Sequence, residues 1–171
     1  WLMTSLSSSP QLVALVEATG ASVWFEGLRH HAPFPTSHPA YRQSLPGDAR
    51  QVRKALEGND LVLLLGGPFF EDIWYAPGGH FAPGTVVVQV EASLERLALN
   101  NRLDAGVVGD IKTALAALTN AVRSRGNAEY NLAAQSRNQA IADQRAREKE
   151  NYRARLEKSW DREPSSMPRV T

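Results

Sequence analysis

The residues best suited to acid–base chemistry are histidines, and three of the four lie in one proline-rich segment, HHAPFPTSHPAYRQSLPGDARQ, at positions 30–51. These are His30, His31 and His38, whereas His80 lies alone in a second loop. An imidazole has an unperturbed pKa of about 6.5, so it can donate or accept a proton near neutral pH. The segment therefore raises three alternatives: a reaction site, a metal site, or a long connection without chemistry.

The spacing of the histidines tests the metal alternative. Neighbouring residues on an extended segment project to opposite sides, so His30 and His31 do not form one ligand set. Neither an HxxxH spacing nor a carboxylate-flanked triad accompanies the histidines, and the chain contains no cysteine. The pattern therefore predicts no bound metal.

Phosphate binding and nucleophilic catalysis also lack a motif in the chain. Neither GxGxxG nor GxxxxGK[ST] occurs, and there is no cysteine and no GxSxG elbow. Residues 66–70, GGPFF, follow an apolar run, which is where open α/β sheets usually bind ligands. Their proline and aromatic rings nevertheless indicate a packed turn. The neighbouring acids Glu71 and Asp72 are predicted to be exposed loop residues.

Composition and charge narrow the class of protein. The chain has 171 residues, of which 43% are hydrophobic and 22% charged, as in a globular domain with a packed core. Nineteen basic and eighteen acidic residues give a net charge of +1, which indicates no nucleic-acid or anionic membrane partner. No apolar run approaches the roughly 20 residues of a transmembrane helix. The lack of cysteine favours a reducing compartment, so we expect a cytoplasmic protein.

The elements that must position these side chains alternate between strand and helix. Leu61–Leu65 is a continuous apolar run, typical of a parallel strand that is covered on both faces. Further strands are predicted in ASVWFEG, GTVVVQVE and DAGVVGD, and helices from Pro10, after Asp48 and after Asp110. This alternation predicts an α/β fold, a Rossmann-like three-layer domain with a parallel sheet.

The last third of the chain differs in composition. Between residues 143 and 163, thirteen of the 21 residues are charged, and the two signs are mixed. Mixed charge favours a solvated helix over a basic nucleic-acid arm. We therefore divide the chain into a non-native or truncated lead, residues 1–9, an α/β domain, residues 10–125, and a charged helical linker, residues 126–171.

Four stretches carry a resemblance to a known family. They are FPTSHPAYRQSLP in the histidine-rich segment, LEGNDLVLLLGGPFF around the apolar run, PGTVVVQVE, and VVGDI before the last helix of the domain. In this order and spacing, residues 12–122 resemble the central domain of thiamine diphosphate-dependent decarboxylases, most closely that of benzoylformate decarboxylase. The final SSMPRVT resembles the family's lead into a C-terminal domain, which implies that residues 126–171 are an interdomain linker.

The resemblance implies a cofactor that is held outside this chain. In the family, an N-terminal domain carries the activating glutamate, and a C-terminal domain carries the Gly-Asp-Gly to Asn motif for Mg²⁺ and the diphosphate. Neither motif occurs here, because Gly47-Asp48-Ala49 and Gly109-Asp110-Ile111 are better explained as helix caps. We therefore expect the chain alone to bind neither thiamine diphosphate nor Mg²⁺ and to be inactive, whereas both act in the full-length enzyme.

One residue receives a role from the resemblance. In benzoylformate decarboxylase, the histidine of the corresponding connection reaches the active site and takes part in proton transfer, and the matching residue here is His38. His30 and His31 match no site of the family. The chain is thus expected to be a central-domain fragment whose partners are the remaining domains of the enzyme, in a family that is commonly homotetrameric.

The start of the chain departs from the family and leaves a second interpretation open. The family's central domain begins with a strand, which residues 1–9, WLMTSLSSS, do not resemble, so the first strand is predicted to be missing. Neighbouring strands would then expose backbone edges and favour pairing with a second copy of the chain. The alternative function is a stand-alone α/β module for a nucleotide, such as FAD or ADP, or for a protein partner.

Overall fold

The computed structural model describes residues 9–26, 33–70 and 77–160. In chain order, the elements are α1 (Ser9–Thr19), β1 (Val23–Phe25), β2 (Tyr41–Ser44), α2 (Ala49–Ala55), β3 (Leu61–Leu65), β4 (Val86–Glu91), a 3₁₀ turn (Leu94–Arg96), β5 (Ala105–Val108), α3 (Ile111–Arg125) and α4 (Ala128–Trp160). Helix α1 precedes the first strand, and α2 and α3 follow β2 and β5. The predicted α/β class is confirmed.

The strands of the described residues form two parallel sheets. One contains β3, β4 and β5 in that order, with Leu61 opposite Val86 and Val90 opposite Val107. The other contains β1 and β2, with Val23 opposite Tyr41. All these pairs are parallel, as the continuous apolar runs predict.

The division into two sheets differs from the single sheet that the sequence predicts. No hydrogen-bonded ladder joins β1 to β3 within the described residues, although both strands contribute to one hydrophobic core. The prediction that a first strand is missing falls on residues 1–9, most of which lie outside the described residues. A second difference is β2, which the sequence analysis places in a connection rather than in a strand.

The core lies around β3. Val62 to Leu65 are buried, whereas Leu61 at the start of the strand is 46% exposed. The helices α1 and α3 supply further buried side chains, among them Leu12, Val16 and Leu115. Because successive residues of a strand point to opposite faces and Val62 to Leu65 are all buried, β3 is covered on both faces and needs no polar alternation.

Two predicted helix caps have the expected geometry. The Asp48 carboxylate accepts hydrogen bonds from the amides of Arg50 and Gln51 at the start of α2. The Asp110 carboxylate accepts from both the amide and the hydroxyl of Thr113 at the start of α3, at 2.8 and 2.7 Å. The Thr113 hydroxyl, with the Thr113 amide, holds the pKa of Asp110 below its ordinary value. Both aspartates therefore satisfy free amides of a first turn.

The charged tail contains a longer helix than the sequence analysis defines. Helix α4 has 33 residues, and its first half packs against the end of α1 through the buried side chain of Ala134. Arg137 donates two hydrogen bonds to the Thr19 carbonyl, at 2.8 and 3.1 Å. Gly20, which follows Thr19, has a φ of +65°. A Cβ at this position would lie only 2.6 Å from the Ala134 carbonyl oxygen, so only glycine allows α4 to approach α1 so closely.

Further along α4, the described contacts with the α/β domain become polar, and the side chains then become exposed. Ile141 packs against the core, and Glu148 lies 3.4 Å from the Arg42 guanidinium of β2. Beyond this pair, residues 149–158 are exposed. No helix in the described ranges is long and apolar enough to cross a membrane. The exposure of residues 149–158 thus agrees with the solvated helix that the sequence predicts for the charged segment.

Candidate functional site

His38 lies in a turn just before β2, at the amino end of the two-stranded sheet. Its amide donates to the Pro35 carbonyl at 3.0 Å, and its carbonyl accepts from the Tyr41 amide at 3.0 Å. Pro35 and Pro39 flank the turn and restrict its backbone. The proline-rich connection therefore holds the histidine in a defined place.

The imidazole ring of His38 is held by contacts to both nitrogens. Its Nδ1 accepts a hydrogen bond from the Ala40 amide at 3.1 Å, so the proton of a neutral ring belongs on Nε2. The Nε2 atom lies 3.6 Å from the Glu17 carboxylate, and the ring contacts Phe34 edge-on at a centroid distance of 4.9 Å. The side chain is 20% exposed. Nε2 is consequently the nitrogen that can exchange a proton with another group.

Glu17 belongs to the last turn of α1 and connects His38 to α4. Its side chain is 60% exposed, and it also borders an open cavity of about 330 Å³ between α1, α3 and α4. Its main-chain carbonyl accepts a hydrogen bond from the Asn138 side chain at 2.7 Å. The position of the carboxylate beside Nε2 thus depends on how α4 holds the end of α1.

The remaining histidines do not join this site. His80 stacks on Phe70, with centroids 4.2 Å apart and planes 15° from parallel, and it also contacts Phe81. His30 and His31 lie outside the described residues. Within the described ranges, no group of three or more histidine and carboxylate side chains is arranged to hold a metal ion.

The carboxyl ends of β3 and β4 contain a polar network that the sequence analysis did not single out. Gln89 and Glu91 are 3% and 1% exposed. The Gln89 amide donates to the Gly66 carbonyl at 3.1 Å and accepts from the Ala98 amide at 3.0 Å. The two polar residues interrupt the apolar run of β4 at alternate positions, and this pattern is the signal that would have indicated them.

Glu91 closes this edge of the sheet. Its Oε1 accepts from the amides of Ala92 and Ser93 at 2.8 and 3.1 Å and lies 3.5 Å from the Arg96 guanidinium. Its Oε2 is buried and has no hydrogen-bond partner among the residues that the structure describes. A Cβ on Gly67 would come within 3.1 Å of Oε2, so the turn after β3 packs tightly on the carboxylate.

The turn itself is packed, as its proline and aromatic residues predict. Phe69 and Phe70 are 3% and 6% exposed, and the Asn100 side chain donates to the Phe69 carbonyl at 2.9 Å. The Phe70 amide donates to the Glu26 carboxylate at 2.8 Å. Glu71 and Asp72, predicted to be exposed, lie outside the described residues. Among the described residues, this edge of the sheet therefore contains buried rings and several amides that already donate to oxygens of the chain itself.

Sequence comparison relates the chain to one family of enzyme domains. The family model described as "Thiamine pyrophosphate enzyme, central domain" matches residues 4–118. Benzoylformate decarboxylase from Pseudomonas aeruginosa is 35% identical over 111 residues, which are 65% of this chain and 21% of that enzyme. Acetolactate synthase from Mycobacterium avium is 31% identical over 121 residues, which are 70% of this chain and 19% of that enzyme.

Comparison with solved structures gives the same relationship. The thiamine diphosphate-dependent 4-hydroxybenzoylformate decarboxylase of Rhodococcus jostii RHA1 matches with a TM-score of 0.63 and 28% identity. The match covers 74% of this chain and 25% of that enzyme. The chain thus spans about a fifth of the length of its curated relatives and a quarter of this structural relative.

Proposed function

Because this chain belongs to the family of thiamine pyrophosphate enzyme central domains, we propose that it works as the central domain of a 2-oxo acid decarboxylase of the benzoylformate decarboxylase type. Its share in the reaction is one proton-transfer residue, His38, together with the fold that positions it. Other domains would supply the cofactor site. The activity belongs to the assembled enzyme, because the chain matches only about a fifth of its relatives.

The contacts of His38 support this role. Since Nδ1 accepts from the Ala40 amide, the ring keeps one orientation and presents one exchangeable proton, on Nε2. The Nε2 atom lies 3.6 Å from the Glu17 carboxylate oxygen, which is longer than a hydrogen bond. A substrate oxygen at hydrogen-bond distance could therefore replace this contact. His38 would then donate or accept a proton at Nε2 while Ala40 fixes the ring.

The described residues do not fit thiamine diphosphate or its metal. A diphosphate requires free backbone amides or cationic side chains, and Mg²⁺ requires several oxygen ligands. At the carboxyl edge of the sheet, the Glu91 carboxylate already engages the amides of Ala92 and Ser93 and the Arg96 guanidinium, which are therefore not free for a diphosphate. For the same reason, this edge does not suit the diphosphate of FAD or ADP. The site therefore supports the alternative function, a nucleotide-binding module, less well than the central-domain role.

The substrate class and assembly are part of the proposal. The remaining domains of the enzyme, joined in a homotetramer with thiamine diphosphate and Mg²⁺, would complete the active site around His38. The cytoplasmic location and the domain boundaries at residues 10–125 and 126–171 stay predictions from the sequence.

The test is a histidine substitution in the full-length enzyme that contains this domain. We expect His38→Ala to reduce the turnover of benzoylformate by about 10²-fold or more, in the range of a lost general acid or base. His80→Ala is the matched control, because His80 stacks in a separate aromatic cluster. Equal turnover in the His38→Ala and wild-type enzymes would refute the role of His38.

A second experiment addresses the chain alone. Titration of the 171-residue protein with thiamine diphosphate and Mg²⁺ in a calorimeter should give no saturable heat, and the chain should not decarboxylate benzoylformate. Saturable binding would show that the domain itself holds the cofactor and would overturn the division of labour between domains.

A further inference from the structure

Strand β5 forms an exposed edge of the three-stranded sheet. It pairs with β4 on one side, and no described residue pairs with its other side. All four of its residues are exposed, including Val107 at 45% and Val108 at 48%. Two apolar side chains of the preceding connection, Leu94 and Leu99, are also exposed, at 72% and 59%. The backbone edge of β5 is therefore accompanied by apolar surface.

Among the residues that the structure describes, this edge lacks the features that usually protect an edge strand. Exposed edges are commonly blocked by charged side chains, proline, or a covering helix, because their free backbone groups pair with any available strand. The sequence of β5 is Ala-Gly-Val-Val, without charge or proline. On the face of Gly106, the Leu97 side chain lies where a Cβ would be, at 2.9 Å, so one face is already packed by the chain's own connection. The outer edge remains the open direction.

Of the three charges that flank β5, Arg102 and Asp110 are complementary under a two-fold axis. The third, Asp104, is engaged on the β4 side, where its carboxylate accepts from the Val87 amide at 2.8 Å. In an antiparallel pairing centred on Gly106, Ala105 lies opposite Val107 of the second copy, and Arg102 lies opposite Asp110 of the second copy. Arg102 and Asp110 are both exposed and of opposite sign. The symmetry repeats this ion pair, and no side chain stands on the axis because Gly106 is there.

From these features we infer that β5 is a self-association edge, through which two copies of this chain join their three-stranded sheets into one six-stranded sheet. The pairing is antiparallel across the dimer axis and parallel within each copy. The partner is a second copy of this chain because the strand is uncharged and because Arg102 of each copy meets Asp110 of the other. The inference does not depend on the role of His38.

Sedimentation velocity of the 171-residue protein over a wide concentration range tests the inference. We expect the wild-type sedimentation coefficient to rise with concentration from monomer to dimer. Val107→Lys should keep the protein monomeric, because a charge on the edge opposes strand addition. Val86→Lys is the matched control, since Val86 is 42% exposed but begins β4, which is paired on both sides. A wild-type protein that stays monomeric throughout, or equal loss of dimer in both variants, would overturn the inference.

The flanking charges provide a second test that leaves the strand unchanged. Arg102→Glu places two acids opposite each other at both ends of the paired strands, so we expect it to weaken the dimer. Arg125→Glu changes the same charge at an exposed position in the last turn of α3, away from the edge, and should not. An equal effect of the two reversals would mean that net charge, rather than the β5 pairing, controls association.

Cross-linking tests the register and remains informative if the lysine variant fails to fold. The chain has no cysteine, so introduced thiols have no background. Residues directly opposite in an antiparallel pair have Cα atoms about 4.5–5.5 Å apart, which suits a disulfide. A mixture of Ala105→Cys and Val107→Cys chains should form a disulfide-linked heterodimer on oxidation, more readily than either variant alone. Equal yields of all three dimers would contradict the register centred on Gly106.

Discussion

The two ends of the parallel strands are built differently. At the amino end of the β1–β2 sheet, the His38 ring is held by one backbone amide and faces an exposed carboxylate at 3.6 Å. At the carboxyl end of the β3–β4–β5 sheet, Gln89 and Glu91 are buried and engage several backbone amides. The first end retains a side chain with an exchangeable proton and a replaceable partner. The second uses its polar side chains to close the sheet.

This contrast indicates that the candidate site residue and the polar residues that stabilise the sheet lie at different ends of the strands. Open α/β sheets usually bind ligands at the carboxyl ends of their strands. Here that edge is filled by the turn at Phe69 and Phe70 and by the carboxylate of Glu91. The residue proposed for proton transfer, His38, lies instead in a connection, where a loss of packing costs less. Substitutions at the carboxyl end should therefore mainly lower stability, whereas substitution of His38 should mainly lower activity.

The largest effect on stability is expected for Glu91→Leu. It removes the acceptor of the partly buried hydrogen bonds from the amides of Ala92 and Ser93, which should lower the free energy of unfolding by about 2–4 kcal/mol. Urea denaturation followed by circular dichroism measures the change. Glu95→Leu, at an exposed position of the following turn, is the control and should change little. Similar decreases in the free energy of unfolding for both variants would contradict a stabilising role of the Glu91 network.

A smaller loss is expected for Gly67→Ala. Its Cβ would lie 3.0 Å from the Gln89 amide nitrogen and 3.1 Å from the Glu91 carboxylate, so the network must shift. Overpacking of this kind costs about 1–3 kcal/mol. Gly47→Ala is a matched control, because no atom lies within 4 Å of its Cβ position. Thermal unfolding of the two variants should separate them clearly, and equal melting temperatures would show that the turn is less tightly packed than the structure indicates.

At the amino end, His38→Ala should have a smaller effect on stability than either change at the carboxyl end. The variant loses one hydrogen bond from the Ala40 amide and the contact with Phe34, so we expect a decrease of about 1 kcal/mol or less. His38→Asn, which keeps an acceptor near that amide, should recover part of it. A decrease larger than that of Glu91→Leu would reverse the comparison between the two ends.

The smallest effect concerns the pH dependence of the cap on α3. Because the Thr113 hydroxyl and amide lower the pKa of Asp110 in the folded protein, its carboxylate stabilises the fold above the ordinary value of 3.8. This contribution decreases as the pH falls through the lower pKa of the folded state. Asp110→Asn keeps a capping side chain but does not titrate, so its unfolding should depend less on pH in that acidic range. Parallel pH profiles for the two proteins would contradict this assignment.

The sequence predicts those features that depend on neighbouring residues. The run Leu61–Leu65 identifies a covered parallel strand, and Asp48 and Asp110 identify helix starts, because strand burial and helix capping each leave a local pattern. It misses β2, since Tyr-Arg-Gln-Ser has little strand character of its own and forms a strand only by pairing with β1. Tertiary pairing, rather than propensity, decides this segment.

The candidate site is predictable only in part for the same reason. The resemblance selects His38, but its neighbour Glu17 lies 21 residues earlier, and no local spacing connects them. The docking of α4 depends on Arg137 and Asn138, which bond to main-chain carbonyls of α1. Such contacts form only when folding places the end of α1 next to α4, so the pattern of charges in the sequence cannot reveal them.

The length of α4 has a mechanical consequence. The helix continues for twelve residues past Glu148, its last described anchor on β2, and these residues span about 18 Å at 1.5 Å per residue. A segment joined beyond Trp160 would be held at that distance by a stiff rod. One inserted residue in this stretch would rotate such a segment by about 100° around the rod. The second half of α4 thus sets both the distance and the rotational orientation of a segment joined beyond Trp160. Its exposed side chains can vary without changing either quantity.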